Sequence, residues 1–174
     1  IFLQKNLTDA WAQLPNSGPV LNNWLMSGTL AVTGITTSLA ALTQLVKDRE
    51  RQVDQDLYLS DQGKWRLPFS YLTSAIIISF FMQALMYVLM CGYFREVPTL
   101  SLLPEVLLIM LLSSLLSSLV NAIFVYFFHS VDSLGKFSTI VGTASGFLVG
   151  TYVPLGVLPD FAQLLMKCTP ATYI

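Results

Sequence analysis

A chain of 174 residues with 54% hydrophobic and 11% charged side chains falls far below the roughly 25% charged share of water-soluble domains. Its mean hydropathy of +0.65 places it among integral membrane proteins. A net charge of −1 and a pI near 5.7 exclude the basic stripe that a nucleic-acid binder carries.

In chain order, residues 1–23 join an apolar start (Ile1, Phe2, Leu3) to turn formers such as Pro15, Gly18 and Pro19. They read as the tail of a preceding span and an aqueous loop. The chain as a whole reads as one membrane domain, residues 1–174, a piece of a longer protein. Residues 24–46 form the first complete span, 23 positions without a charge and roughly 35 Å as a helix. Its threonines can bond to backbone carbonyls and permit close helix approach, or can line a polar path.

The arm, residues 47–66, holds ten of the chain's nineteen Asp, Glu, Lys and Arg side chains. Within it Val53 and Leu57 stand one turn apart on a helix whose other faces are polar, an amphipathic rod suited to a protein or membrane surface. Residues 69–94 make the second span. Gln83 near its middle needs a hydrogen-bond partner in hydrocarbon, either a neighbouring helix or a substrate. The third span, residues 102–128, carries Ser113, Ser114, Ser117, Ser118 and Asn121 deep in a leucine-rich run. Ser114, Ser118 and Asn121 share a face, which belongs against protein or water. With Gln83 they are the candidate translocation path.

A turn over 129–136 leads to a shorter span at 137–153, where Gly142, Gly146 and Gly150 form a bare ridge for another helix. Residues 154–174, broken by Pro154 and Pro159, read as a re-entrant segment at the outer surface. The expected architecture is therefore all-α and integral to the membrane, a bundle of about four spanning helices. Lys47, Arg49, Arg51, Lys64, Arg66 and Lys136 lie on one side against Lys5, Arg95 and Lys167 on the other. That asymmetry puts the arm in the cytoplasm.

Enzymatic chemistry is not expected. The single histidine, His129, stands eleven residues from Ser118, about 16 Å along a helix. Cys91 and Cys168 read as small packing residues. No metal-ligand cluster or phosphate-binding glycine loop occurs, so no metal or cofactor is expected on this chain.

Two places resemble the permeases of ATP-binding-cassette exporters of the drug and polysaccharide type. In the arm, Glu50-Arg51 matches an acidic–basic pair, Gln55 a glutamate position, Leu57-Tyr58-Leu59 an apolar run and Ser60 a Ser/Thr. Gln52-Val53 stands where that family has Gly-Thr, and Asp61 where it has proline. Near the end, Val153-Pro154, Leu158-Pro159 and Thr169-Pro170-Ala171-Thr172-Tyr173 resemble the family's proline segment and its closing Asn-Pro-Leu-Thr-Tyr.

The resemblance implies a six-span fold, of which these residues supply spans two to five. It also implies that Glu50, Arg51, Val53, Asp54, Gln55, Leu57 and Ser60 form a coupling helix seated on an ABC ATPase subunit. ATP and magnesium would bind on that partner, and a second permease copy, identical or not, would complete a dimer among membrane lipids. Export across a bacterial plasma membrane is the implied activity. A channel or a structural multi-span protein without an ATPase is the alternative.

Overall fold

The computed structural model describes residues 17–53, 66–94 and 103–149. Four helices account for nearly all of them: α1 (Ser17–Glu50), α2 (Arg66–Phe94), α3 (Leu103–Tyr126) and α4 (Val131–Leu148). Among the described residues α1, α2 and α3 are long and apolar enough to cross a membrane. The fourth, 18 residues long, is the shortest of the four. The chain is thus an all-helical membrane protein.

Helices α1, α2 and α4 begin earlier than hydropathy suggests. Ser17 to Asn23, read as aqueous loop, is the first two turns of α1. Residues 131–136, read as turn, are the start of α4. Hydropathy places a boundary where charge appears, whereas a helix continues until its backbone is turned or capped. In α4 Ser130 is extended at the N-cap and Asp132 stands in the first turn, where an anion suits the helix dipole. Lys136 pairs with Asp132 at 2.7 Å one turn on. Prolines 68 and 104 sit inside the first turns of α2 and α3, where the missing N–H disrupts no helical bond.

Helix α1 is the hub. It contacts α2, α3 and α4, and α2 also lies along α3. Its threonines 29, 33, 36, 37 and 43 each donate a hydroxyl to a carbonyl one turn earlier. These side chains add little width and no unsatisfied donor, so neighbours approach closely.

The helices are apolar outside and polar inside. On α2 the buried positions are Ala75, Ser79 and Gln83, spaced by one turn, while Ile77, Ile78, Phe81, Leu85 and Val88 are exposed. On α3 the buried stripe is Met110, Ser113, Ser114, Ser117, Ser118, Asn121 and Val125. Lipid is as apolar as leucine, so burying leucine brings no gain there, and the small and polar faces turn to each other. Toward the arm the helices meet through an apolar core, with Leu39, Leu42, Val46, Ala75, Val125 and Leu134 fully buried, and a smaller apolar cluster joins Ala31 to Val149. Phe137 of α4 closes the larger core against Phe128 and Phe124, at ring separations of 5.0 and 5.7 Å.

The glycine face of α4 lies toward α1. A Cβ on Gly142 would stand 3.9 Å from Thr36 Cγ2, and Gly146 is buried. Gly150 and the segment 154–174 lie outside the described residues.

Candidate functional site

Two arrangements involve the residues singled out in the sequence. The first is a polar seam among α1, α2 and α3. Gln83, 1% exposed, donates its amide to Ser113 Oγ at 3.3 Å. Ser79 donates to the carbonyl of Gly34 at 3.1 Å and lies within reach of the Thr37 hydroxyl at 3.4 Å. Asn121 donates to the carbonyl of Ile35 at 2.9 Å and to Ser38 Oγ at 2.8 Å. All three helices are therefore stitched by side chains that would be costly in lipid.

The seam is not fully satisfied. Gln83 Oε1 and Ser118 Oγ are buried without a hydrogen-bond partner among the described residues. Ser114 turns its hydroxyl onto the carbonyl of Leu111 in its own helix. Gln83, Ser114, Ser118 and Asn121 thus share one interior, closed on all sides in this conformation.

Gly34 makes the seam possible. A Cβ there would come within 2.0 Å of Gln83 Nε2 and 3.4 Å of Ser113 Oγ. Sequence reasoning passed over Gly34, although Gly34-xxx-Ser38 is a small-xxx-small pair of the kind that marks close helix contact.

The second arrangement lies where α1 enters the arm. Arg49 reaches across to the end of α3 and donates to the carbonyls of Tyr126, at 3.3 Å, and Phe128, at 3.5 Å. Its guanidinium also lies 5.6 Å from the centre of the Tyr126 ring, within cation–π range. A cation at these carbonyls matches the negative end of α3. The next residue, Glu50, accepts the backbone N–H of Val131 at 3.1 Å, a carboxylate on the positive end of α4. Ser130, the N-cap, gives no side-chain bond to that end, so Glu50 supplies the anion from another helix. Asp48 accepts from Tyr71 of α2 and from Gln44 at 2.7 Å.

Three consecutive residues thus tie the arm's root to α2, α3 and α4. Glu50 was singled out in the sequence as part of the coupling set. Asp48 and Arg49 were missed, and their only signal is charge at the end of a span.

Beyond Glu50 the helix stops. Arg51 N–H still bonds to Lys47 O at 3.1 Å, Gln52 N–H bonds to Arg49 O at 3.1 Å, and Gln52 has φ of 59°. This is the left-handed residue that commonly ends a helix and that glycine adopts most easily. Val53 follows, 42% exposed. Asp54, Gln55, Leu57 and Ser60 lie outside the described residues.

Comparison with curated proteins and with solved structures brought no match. A family model described as ABC-2 family transporter protein matches residues 3–174. That match, over a bundle whose helices carry their polar faces inward, makes this chain a membrane transport permease belonging to the ABC-2 transporter family.

Proposed function

We propose that the chain forms the membrane path of an ATP-driven exporter and takes its driving movement through the arm at 47–66. The partner is an ABC ATPase subunit that binds ATP and magnesium, and two permease copies, identical or related, face each other in a bacterial plasma membrane. Glu50, Arg51, Val53, Asp54, Gln55, Leu57 and Ser60 form the contact with the ATPase. The observation that carries this reading is the arm's root. Because Asp48, Arg49 and Glu50 bond to α2, α3 and α4 in turn, a tilt of the arm reaches every helix of the bundle together.

The seam supplies what would move. Interhelical hydrogen bonds in membranes contribute only ~0.6 kcal/mol on average, so its few contacts are a weak latch between α1 and the α2–α3 pair. Opening it exposes Gln83, Ser114, Ser118 and Asn121 as a polar lining, and the glycine face at Gly142, Gly146 and Gly150 lets α4 slide on α1. No covalent chemistry on the substrate is involved.

The test is the double variant Val53→Asp, Leu57→Asp in the complete transporter. Export should fall to background while membrane insertion remains and ATP hydrolysis continues uncoupled. Full transport together with normal co-purification of the ATPase would remove the arm from the mechanism.

A further inference from the structure

A cleft of about 630 Å³ opens on the membrane-facing side of the bundle, at the arm end, between α2 and α3 with α1 behind it. Leu42 and Leu45 of α1, Phe69 of α2, and Ala122, Ile123 and Tyr126 of α3 form most of its wall. The volume falls in the range of small-molecule sites. Along α3 the lining runs from Leu119 to Phe127, about 12 Å of helix. One leaflet of a bilayer has about 15 Å of hydrocarbon, so the cleft has the depth of an acyl chain held in one leaflet.

Among the described residues, two arginines stand at its mouth. Arg49 lies one turn beyond Leu45 on α1 and stacks on Tyr126, itself part of the wall. Arg66 lies one turn before Phe69 at the start of α2. Lys47 and Arg51 belong to the same end of α1. The described carboxylates at this end are turned to other partners: Asp48 to Tyr71 and Gln44, Glu50 to Val131, Asp132 to Lys136. Lys47, Arg51 and Arg66 have no partner among the described residues.

A second cleft, about 340 Å³, lies between α2 and α3 at the opposite end, walled by Ala84, Cys91, Leu107 and Met110. Its walls are equally apolar, but the charged residue described there is Glu105. Lipid tails alone would suit both clefts; among the described residues, only the arm-side cleft adds cations at headgroup depth.

We propose that the arm-side cleft binds an anionic phospholipid of the adjacent leaflet. One acyl chain lies between α2 and α3, and the headgroup phosphate meets Arg66 and the remaining N–H groups of Arg49. The site requires neither the ATPase nor a direction of transport, so its failure and that of the exporter reading are separate results.

The experiment is lipid titration of the purified protein in detergent, with bound lipid counted by native mass spectrometry. Net-anionic phosphatidylglycerol should bind saturably, and zwitterionic phosphatidylcholine more weakly by about fivefold for each cation at the headgroup. Arg66→Gln should erase much of that preference, weakening phosphatidylglycerol more than phosphatidylcholine. Ile123→Trp, at a position already facing lipid, should fill the cleft and remove the bound phosphatidylglycerol without lowering the unfolding temperature. Equal binding of both lipids by the unaltered protein overturns the proposal, as does an undiminished lipid count in Ile123→Trp. A lipid-free dimer that Ile123→Trp converts to monomer also overturns it and assigns the cleft to a second copy of this chain.

Discussion

The amide of Gln83 rests directly on Gly34, so close that a methyl group on Gly34 would stand 2.0 Å from its nitrogen. The bare backbone at Gly34 leaves room for the amide, which reaches on to Ser113 of α3. Three helices meet through a residue with no side chain.

Gly34→Ala should therefore lower the unfolding temperature in detergent, equivalent to about 1–3 kcal/mol, the usual cost of overfilling a packed interior. Helix propensity alone would favour alanine by ~1 kcal/mol, so the sign is diagnostic. Adding Gln83→Ala should recover most of the loss, because the clash partner is gone. Additive losses in the double variant would show that the two residues do not meet.

Asn121→Ala removes both bonds from α3 to α1, whereas Ser38→Ala leaves the Ile35 carbonyl as acceptor. The first should cost about 1 kcal/mol and the second less. Thermal unfolding of the two variants side by side decides the order; equal losses would place the weight on Ser38.

Glu50→Ala removes the acceptor of the Val131 N–H at the start of α4 and should cost about 1 kcal/mol, the scale of a lost cap. Hydrogen exchange should quicken at Val131, Asp132 and Ser133. Glu50→Gln retains an acceptor and should be milder. Arg49→Lys keeps the charge but not the planar fork that spans two carbonyls, so exchange around Phe128 should rise there too. Unchanged exchange in Arg49→Ala would detach the arm's root from α3.

Gln52 offers a test of backbone conformation. Gln52→Gly relieves the left-handed φ of 59° and should preserve export. Gln52→Val, β-branched at the same angle, should destabilise the root by about 1–3 kcal/mol. The family to which this chain is similar has glycine at the position, and the backbone here takes the shape glycine allows. Equal stability of the two variants would mean that the arm adopts another path.

Gly142 and Gly146 should separate in the same assay. A side chain at 142 meets only Thr36 at ordinary distance, so Gly142→Ala should be neutral or stabilising. Gly146 is buried, and Gly146→Leu should disturb the contact of α4 with its neighbours. Unchanged assembly and melting in Gly146→Leu would count against the ridge.

Residues 24–46, 69–94 and 102–128 declared themselves as spans from sequence alone, because transfer of a long uncharged run from water to lipid depends on composition and length and hardly on neighbours. The inward stripe of Ser114, Ser118 and Asn121 was legible for a similar reason: hydrogen-bonding groups cannot face hydrocarbon, and their spacing names the face. The partner of that face was not legible. Gly34 beneath Gln83, Asn121 on Ile35, and Arg49 on the carbonyls of Tyr126 and Phe128 depend on the register of one helix against another. Register is decided by contacts between residues 49 to 86 positions apart, and no local pattern encodes them. Tertiary structure alone therefore turned a charged arm into a root bonded to three helices.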